Sequence, residues 1–335
     1  MVISATLMTD QKSPIPSVIF AVIIGILIKN VLKPNHHFDA GISFTLKYLL
    51  RLGIILLGIR IGLGDVFTYG TLAVPLVIAC ILTVLFVIKI VSQQLTVSSQ
   101  MSYLIAIGTS ICGASAIIAL APVISARKGE ITYAVANIVL FGLIGMFFYP
   151  YVAETLFEGN QKAVGLFLGA AIHDTAQVAA SGLIYEQQFD GSDALEVATV
   201  TKLVRNTFLL LLIPAFAYGY MRDNQHEAYS LKQIFPFFVI GFIFMVVCRT
   251  AGDELLVRGL LPISEFQWHY LITLLKACSG VFLGFAMASL GLSTDLGELR
   301  SVGYRPFVLG LIASTAVALT SFAVIKLYLQ LEYIS

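Results

Sequence analysis

"GAAIHDTAQVAASGL", residues 169–183, sets His173, Asp174, Thr175 and Gln177 side by side in a run otherwise made of small and apolar residues. The apolar context extends over residues 161–184, so the polar knot lies in the middle of a segment long enough to enter a bilayer. Gly and Ala frame it where an ordinary spanning helix would carry Leu and Phe. This pattern predicts a membrane segment interrupted at its centre, where backbone and polar side chains face protein or water and not lipid.

The rest of the chain supports a membrane setting. Of 335 residues, 58% are hydrophobic and 12% charged, with a mean hydropathy of +0.92. Soluble domains carry about 25% charged residues. Apolar segments fall at about 15–32, 41–63, 70–91, 101–125, 131–151, 161–184, 194–220, 233–249, 266–291 and 304–331, joined by short links of Pro, Gly, Asn and charges. The expectation is an all-α polytopic membrane protein with about ten segments, one transmembrane transporter domain over 1–335, and a short polar tail at 1–14. The first segment lacks a small-residue cleavage pattern and is read as a retained helix. Cys80, Cys112, Cys248 and Cys278 stand singly, without the spacing of a zinc site or a disulfide framework. A net charge of +1 and the lack of a basic tract exclude nucleic acid as a partner. The bilayer is the expected partner; a homodimer is compatible with the sequence but not specified by it.

A second segment has the same character as the first. "YLIAIGTSICGASAIIAL" (103–120) lies over "LFLGAAIHDTAQVAASGL" (166–183): a small-residue arm, a polar centre and another small-residue arm. Each leads through a charged link into a helix expected to end at proline, Pro150 or Pro214. A weaker pair begins at Gly53 and Gly280. These matches suggest inverted repeats, a sequence mark of secondary transporters. If 101–125 and 161–184 dip in and return as re-entrant hairpins, every pair is inverted. One face then collects Lys29, Lys33, Lys89, Arg127, Lys128, Arg222, Lys232, Arg300 and Arg305, and the other the acidic links "VAETLFEGN" and "YEQQFDGSDALE". Eight spans plus two hairpins, N-terminus outside, is therefore preferred to ten spans with two broken, crossing helices. Both place two interrupted helices tip to tip near the midplane.

The polar centres name the candidate site. In "GTSICGASA", interruption at Gly113 beside Thr109, Ser110, Cys112 and Ser115 frees backbone N–H groups, and a helix starting there aims its positive end at the gap. Such a place suits an anion; a small-residue packing stripe is the plainer alternative. In "AIHDTAQ", His173 and Asp174 are costly at membrane depth and are candidates for coupling H⁺ or Na⁺, with Thr175 and Gln177 as hydrogen-bonding groups for substrate. Lys202 and Arg205, three apart, share a helix face with Asn206 beside them and could supply positive charge. Lys47, Arg51, Arg60 and Lys276 add further cations, of which Lys47, Arg51 and Lys276 are expected to snorkel to the interface. Asp295 and Ser293 in "GLSTDL" are either ion ligands or a plain helix end. His36, His37, His226 and His269 are assigned nothing. No metal or organic cofactor is expected. A membrane-embedded hydrolase using Cys112 or Ser115 with His173 is a minor alternative, because adjacent His and Asp on a helix point apart; a passive channel is another.

"YLLRLGIILLGIRI", "GTSICGASAIIALAPVI", "HDTAQVAASG", "ATVTKLVRN" and "AMASLGLSTDLGELRSVGYRP" together resemble the bacterial membrane proteins labelled sulfate exporters and catalogued as a conserved hypothetical family, over about residues 20–325. That family is grouped with the bile acid:sodium symporters. The resemblance implies a secondary carrier of the bacterial inner membrane that exports a small anion (sulfate, sulfite, a sulfonate or a carboxylate), with a sodium-dependent organic-anion uptake symporter as the alternative. Some relatives carry one more N-terminal helix, whose lack here again puts the N-terminus outside.

Overall fold

The structure, a computed structural model, describes residues 16–32, 38–221, 237–260, 264–295, 297, 303–331 and 334. Among them every regular element is helical. In chain order these are α1 (Ser17–Leu32, its last turn widened to π), α2 (Asp39–Arg60), α3 (Leu63–Gln94), α4 (Ser99–Ser110), α5 (Ala114–Leu120), α6 (Lys128–Phe157), α7 (Gln161–Ala171), α8 (Thr175–Phe189), α9 (Ser192–Thr207), α10 (Leu209–Met221), α11 (Phe238–Val257), α12 (Glu265–Ser293) and α13 (Tyr304–Gln330). Six stretches are long and apolar enough to cross a membrane: α2, α3, α6, α9 with α10 to Phe216, α12 and α13. The chain is a multi-pass membrane protein. The tail at 1–14, His36, His37 and His226, and the link cations Lys33, Arg222, Lys232 and Arg300 lie outside the described residues.

Packing shows how the two interrupted segments run. Along α6, Ser98 beside the start of α4 bonds Glu130, Gly108 packs on Ile138, and Gly113 on the same Ile138, while Ile118 of α5 lines a cavity with Ile131 and Thr132. So α4 runs parallel to α6, and α5 returns antiparallel. The second segment does the same from the other end. Gly165 packs on Ala194 and Val197, and Gly169 on Ala198 and Thr201, so α7 runs parallel to α9. Gly182 meets Leu195, and Thr175 bonds Asn206, so α8 runs antiparallel to α9. Both are re-entrant hairpins, α4/α5 and α7/α8, entering from opposite ends of α6. Their tips lie beside Ile138 and Gly145, close to the middle of a 30-residue helix about 45 Å long.

Local sequence explains the turns. Helices α6 and α8 each stop at a residue in the left-handed region, Glu158 (φ +54°) and Asp190 (φ +57°), which turns the chain back at one end. The first hairpin turns at Gly113 (φ +67°), a conformation that costs an L side chain about 1–2 kcal/mol. Two expected stops are not stops: α6 continues through Pro150 to Phe157, and α10 through Pro214 to Met221. A proline removes one hydrogen bond, and inside a membrane bundle neighbours can satisfy the freed carbonyl.

The ends of the bundle differ in charge. Arg305 bonds Thr96 at the end that also carries Lys89, Arg127 and Lys128. The opposite end carries Glu154, Glu158, Glu186, Asp190 and Asp193, with Tyr185 Oη donating to Glu154 Oε2 at 2.5 Å. They are called the basic and acidic ends below.

Candidate functional site

The two hairpin tips meet, and α9 holds them together. Helices α4 and α7 both end at the tips, so each leaves carbonyl groups there without helical partners, at the negative end of its dipole. Two fully buried cations of α9 take them up. Lys202 Nζ donates to Ile111 O (2.8 Å) and Ile172 O (3.0 Å) and also to His173 O. Arg205 Nε donates to Ser110 O (2.7 Å), one terminal nitrogen to Ala170 O (2.5 Å) and Ile172 O (3.3 Å), and the other to Thr109 O. Each cation therefore bridges both hairpins. The three ammonium protons of Lys202 are matched by three carbonyls. The i, i+3 spacing read from "VTKLVRNT" is what puts both heads on the same face of α9.

The returning helices start where the other two stop. Helix α5 has Gly113 as its N-cap and no capping side chain. Helix α8 has Asp174, whose Oδ1 accepts from Ala176 N–H at 2.8 Å. The same carboxylate faces the first hairpin: a Cβ on Gly113 would lie 3.4 Å from its Oδ2. Asp174 and Thr175 are half-buried and Ser115, the second residue of α5, is exposed, whereas Thr109, Ser110, Cys112, Gly113, His173, Gln177 and Asn206 are buried. The accessible part of the site is thus Asp174, Thr175 and Ser115.

The remaining predicted residues form the shell around it. His173 points away from Asp174, with Nε2 2.8 Å from Ser314 Oγ on α13. Gln177 donates to Val139 O on α6 (3.2 Å), and its Oε1 lies against Gly142, where a Cβ would come within 1.8 Å. Asn206 Nδ2 donates to Thr175 Oγ1 at 3.3 Å. Buried oxygens or nitrogens without a protein partner gather in this shell: Thr109 Oγ1, Ser110 Oγ, His173 Nδ1, Thr201 Oγ1 and Asn206 Oδ1. Such groups are ordinarily matched by ordered water or a ligand. At the end of α12, Ser293 Oγ bonds Leu290 O, and Asp295 Oδ1 accepts from Gly297 N–H; both border a cavity of about 300 Å³ between α5, α6 and α12.

Sequence reasoning missed three partners. Ser314 and Asn137 sit in apolar runs and carry no local signal; Asn137 donates to Pro306 O and nests against Gly310 on α13. Glu196 reads as part of an acidic link, yet it is in the second turn of α9, its side chain 16% exposed and 3.5 Å from Arg60. Glu196 is thus a second carboxylate, beside Asp174, within the bundle. Arg60, read in the sequence as one more cation, is 14% exposed and paired.

Comparison with known proteins places this architecture. The family model described as conserved hypothetical protein 698 matches residues 1–310. The chain belongs to that family. A UPF0324 membrane protein of Fusobacterium nucleatum is 32% identical over 313 residues, covering 92% of this chain and 90% of its own. One from Streptococcus pyogenes is 32% identical over 310 residues, 91% and 88% of the two chains, and one from Streptococcus mutans 30% over 308, 90% and 87%. The conserved hypothetical protein 698 family, as met in these relatives, consists of bacterial membrane proteins. No solved structure matches the chain.

Proposed function

We propose that the chain is a secondary active transporter of a small anion in the bacterial inner membrane, an exporter of sulfate, sulfite, a sulfonate or a carboxylate coupled to H⁺ or Na⁺. One observation carries the reading: two half-crossing hairpins enter from opposite ends and meet at mid-depth around a half-buried carboxylate. Broken helices at mid-depth are where secondary carriers hold substrate and coupling ion, because only there can each end be opened in turn. The matching of repeat order and hairpin direction supports an inverted-repeat origin for α4–α6 and α7–α9.

Charge supports an anion. Lys202 and Arg205 against Asp174 leave one positive charge at the tips, and the positive ends of α5 and α8 point at the same gap. The cations act through their field, since their protons are taken by carbonyls; direct contacts to the anion fall to the N–H groups at the start of α5, where Gly113 supplies no capping side chain, and to Ser115 and Thr175. Asp174 couples. A proton or Na⁺ on its carboxylate removes the one negative charge beside the anion, so ion and anion bind cooperatively. A carrier fits better than a hydrolase. His173 reaches a serine, but among the described residues no carboxylate bonds its ring to orient it as a catalytic base requires.

The test is uptake of labelled sulfate, sulfite, a sulfonate and a dicarboxylate into proteoliposomes under imposed pH or sodium gradients. Gradient-driven accumulation of at least one anion is expected. Flux equal to that of empty liposomes for all of them overturns the anion reading.

A further inference from the structure

The helices pack as two groups. In one, α1, α2, α11 and α12 approach closely at glycines: Gly25 on the backbone of Gly291, Gly53 on Leu283, Gly58 on Phe242. The other consists of α3, both hairpins, α6, α9 and α13. At the acidic end the groups are joined by polar links. Arg60, the last residue of α2, places one terminal nitrogen 3.2 Å from Glu186 Oε2 on α8, bonds Glu186 Oε1 with the other, and holds Nε 3.5 Å from Glu196 Oε1 on α9. Ser17 Oγ donates to Gln187 Oε1 at 3.1 Å, and Leu63 N–H to Thr250 Oγ1 at 2.8 Å. At the basic end the same two groups part around the 300 Å³ cavity, walled by Ile118, Thr132, Val135 and Val139 on one side and Thr294 and Asp295 on the other.

We propose that Arg60, Glu186 and Glu196 form the outer gate of the transport path, closed here, while the path is open toward the basic end. The proposal rests on the carrier reading above. Three features separate this ion cluster from an ordinary strut. It joins the two helix groups and not members of one group. It sits where hairpin α7/α8 enters, so breaking it frees the outer side of the hairpin that carries Asp174. It sets two half-buried carboxylates, 25% and 16% exposed, against one guanidinium. Removing the guanidinium takes away the ion pairs that tie the two groups at this end and leaves two carboxylates of the hairpin group without their cation in a poorly hydrated place, which favours separation of the groups and entry of water there.

The inner side has a visible floor. Val139, at the deep end of the cavity wall, is the residue whose carbonyl receives Gln177 from the first turn of α8. Ser115 lies one turn from Ile118 on α5, and the half-buried Asp174 and Thr175 stand at the tip beyond. The cavity wall at Val139 is thus one hydrogen bond from the first turn of α8, the helix that begins at the proposed coupling residue.

Accessibility tests this without any substrate, so its outcome is independent of whether the right anion has been found. Thr175→Cys in the full chain is labelled with a membrane-impermeant, charged thiosulfonate in right-side-out and inside-out vesicles, with the chain holding only its four native cysteines as background. Labelling from the basic end is expected with Arg60 present. Arg60→Ala, or the double variant Glu186→Gln/Glu196→Gln should the first not insert, is expected to raise the acidic-end rate roughly tenfold, the effect of shifting the open fraction by that factor. The exchange Arg60→Glu/Glu186→Arg should bring it back down. No labelling from the basic end, an unchanged acidic-end rate in the open-gate variants, or an exchange variant as accessible as Arg60→Ala each overturns the gate.

Discussion

Hairpins α4/α5 and α7/α8 reach the middle of the molecule from opposite ends and hand their last carbonyls to the same two cations, yet their returning helices begin differently. Helix α5 has seven residues and starts at Gly113 with backbone alone; α8 has fifteen and starts at a carboxylate. The second hairpin is also tied by side chains, His173 to Ser314, Gln177 to Val139 and Thr175 to Asn206. The first is held by close packing, with Gly108 against Ile117 and Ile138. One hairpin offers bare N–H groups and little else; the other carries the titratable charge and its scaffold. A site split in this way can change its charge on one side without moving the donors on the other.

What the hairpins share gives the largest expected effect. Arg205→Leu strips three carbonyls, on Thr109, Ser110 and Ala170, of their cationic partner in an apolar interior, and leaves Ile172 O to Lys202 alone. Loss of one partner of a buried charged network costs about 3–5 kcal/mol, so the variant should melt far below the parent in detergent, and Lys202→Met should behave alike. Arg205→Lys is not a rescue, because one ammonium cannot span the positions a guanidinium fork reaches. Parent-like melting of either variant would show that the carbonyls find water, and would free the cations for direct contact with an anion.

Where the hairpins differ, the cost is smaller and opposite in kind. Gly113→Ala forces an L side chain to φ +67° and places its Cβ 3.2 Å from Ile138; a loss of about 1–2 kcal/mol is expected. In the second hairpin the sensitive glycine lies on the neighbouring helix. Gly142→Ala drives a methyl into the amide of Gln177, fully buried and bonded to α6, and should cost about 1–3 kcal/mol by overpacking. Leucine-like tolerance at Gly142 would mean that Gln177 swings freely and is available to substrate.

Much of this comparison was legible in the sequence. Small residues around a polar centre at 103–120 and 166–183 mark both interruptions, and the sorting of Lys and Arg between links points to hairpins. Lys202 and Arg205 were found as a pair, but their partners were not: backbone carbonyls leave no mark in sequence, so a cation that caps two helices and one that binds an anion read identically. Ser314 and Asn137 stayed hidden for a related reason, being lone polar residues in apolar runs whose meaning depends on which helix lies opposite. Arg60 and Glu196 lie 136 positions apart, and only the approach of the end of α2 to α9 makes them a pair.

The smallest expected change in stability belongs to the residue with the largest expected role. Asn caps a helix about as well as Asp, so Asp174→Asn keeps the bond from Ala176 N–H and the start of α8; melting should move much less than in Arg205→Leu. The change removes the one negative charge facing Gly113 and leaves Lys202 and Arg205 in place, mimicking the carboxylate with its ion permanently bound. On the coupling reading the variant should bind anion at least as well as the parent, exchange it across proteoliposomes, and gain nothing from a pH or sodium gradient. Gradient-driven accumulation at the parent's rate would remove Asp174 from coupling and leave it as the cap of α8 alone. The first hairpin has no carboxylate to take over that role, since its corresponding helix starts at a glycine, so the loss should be complete and not partial.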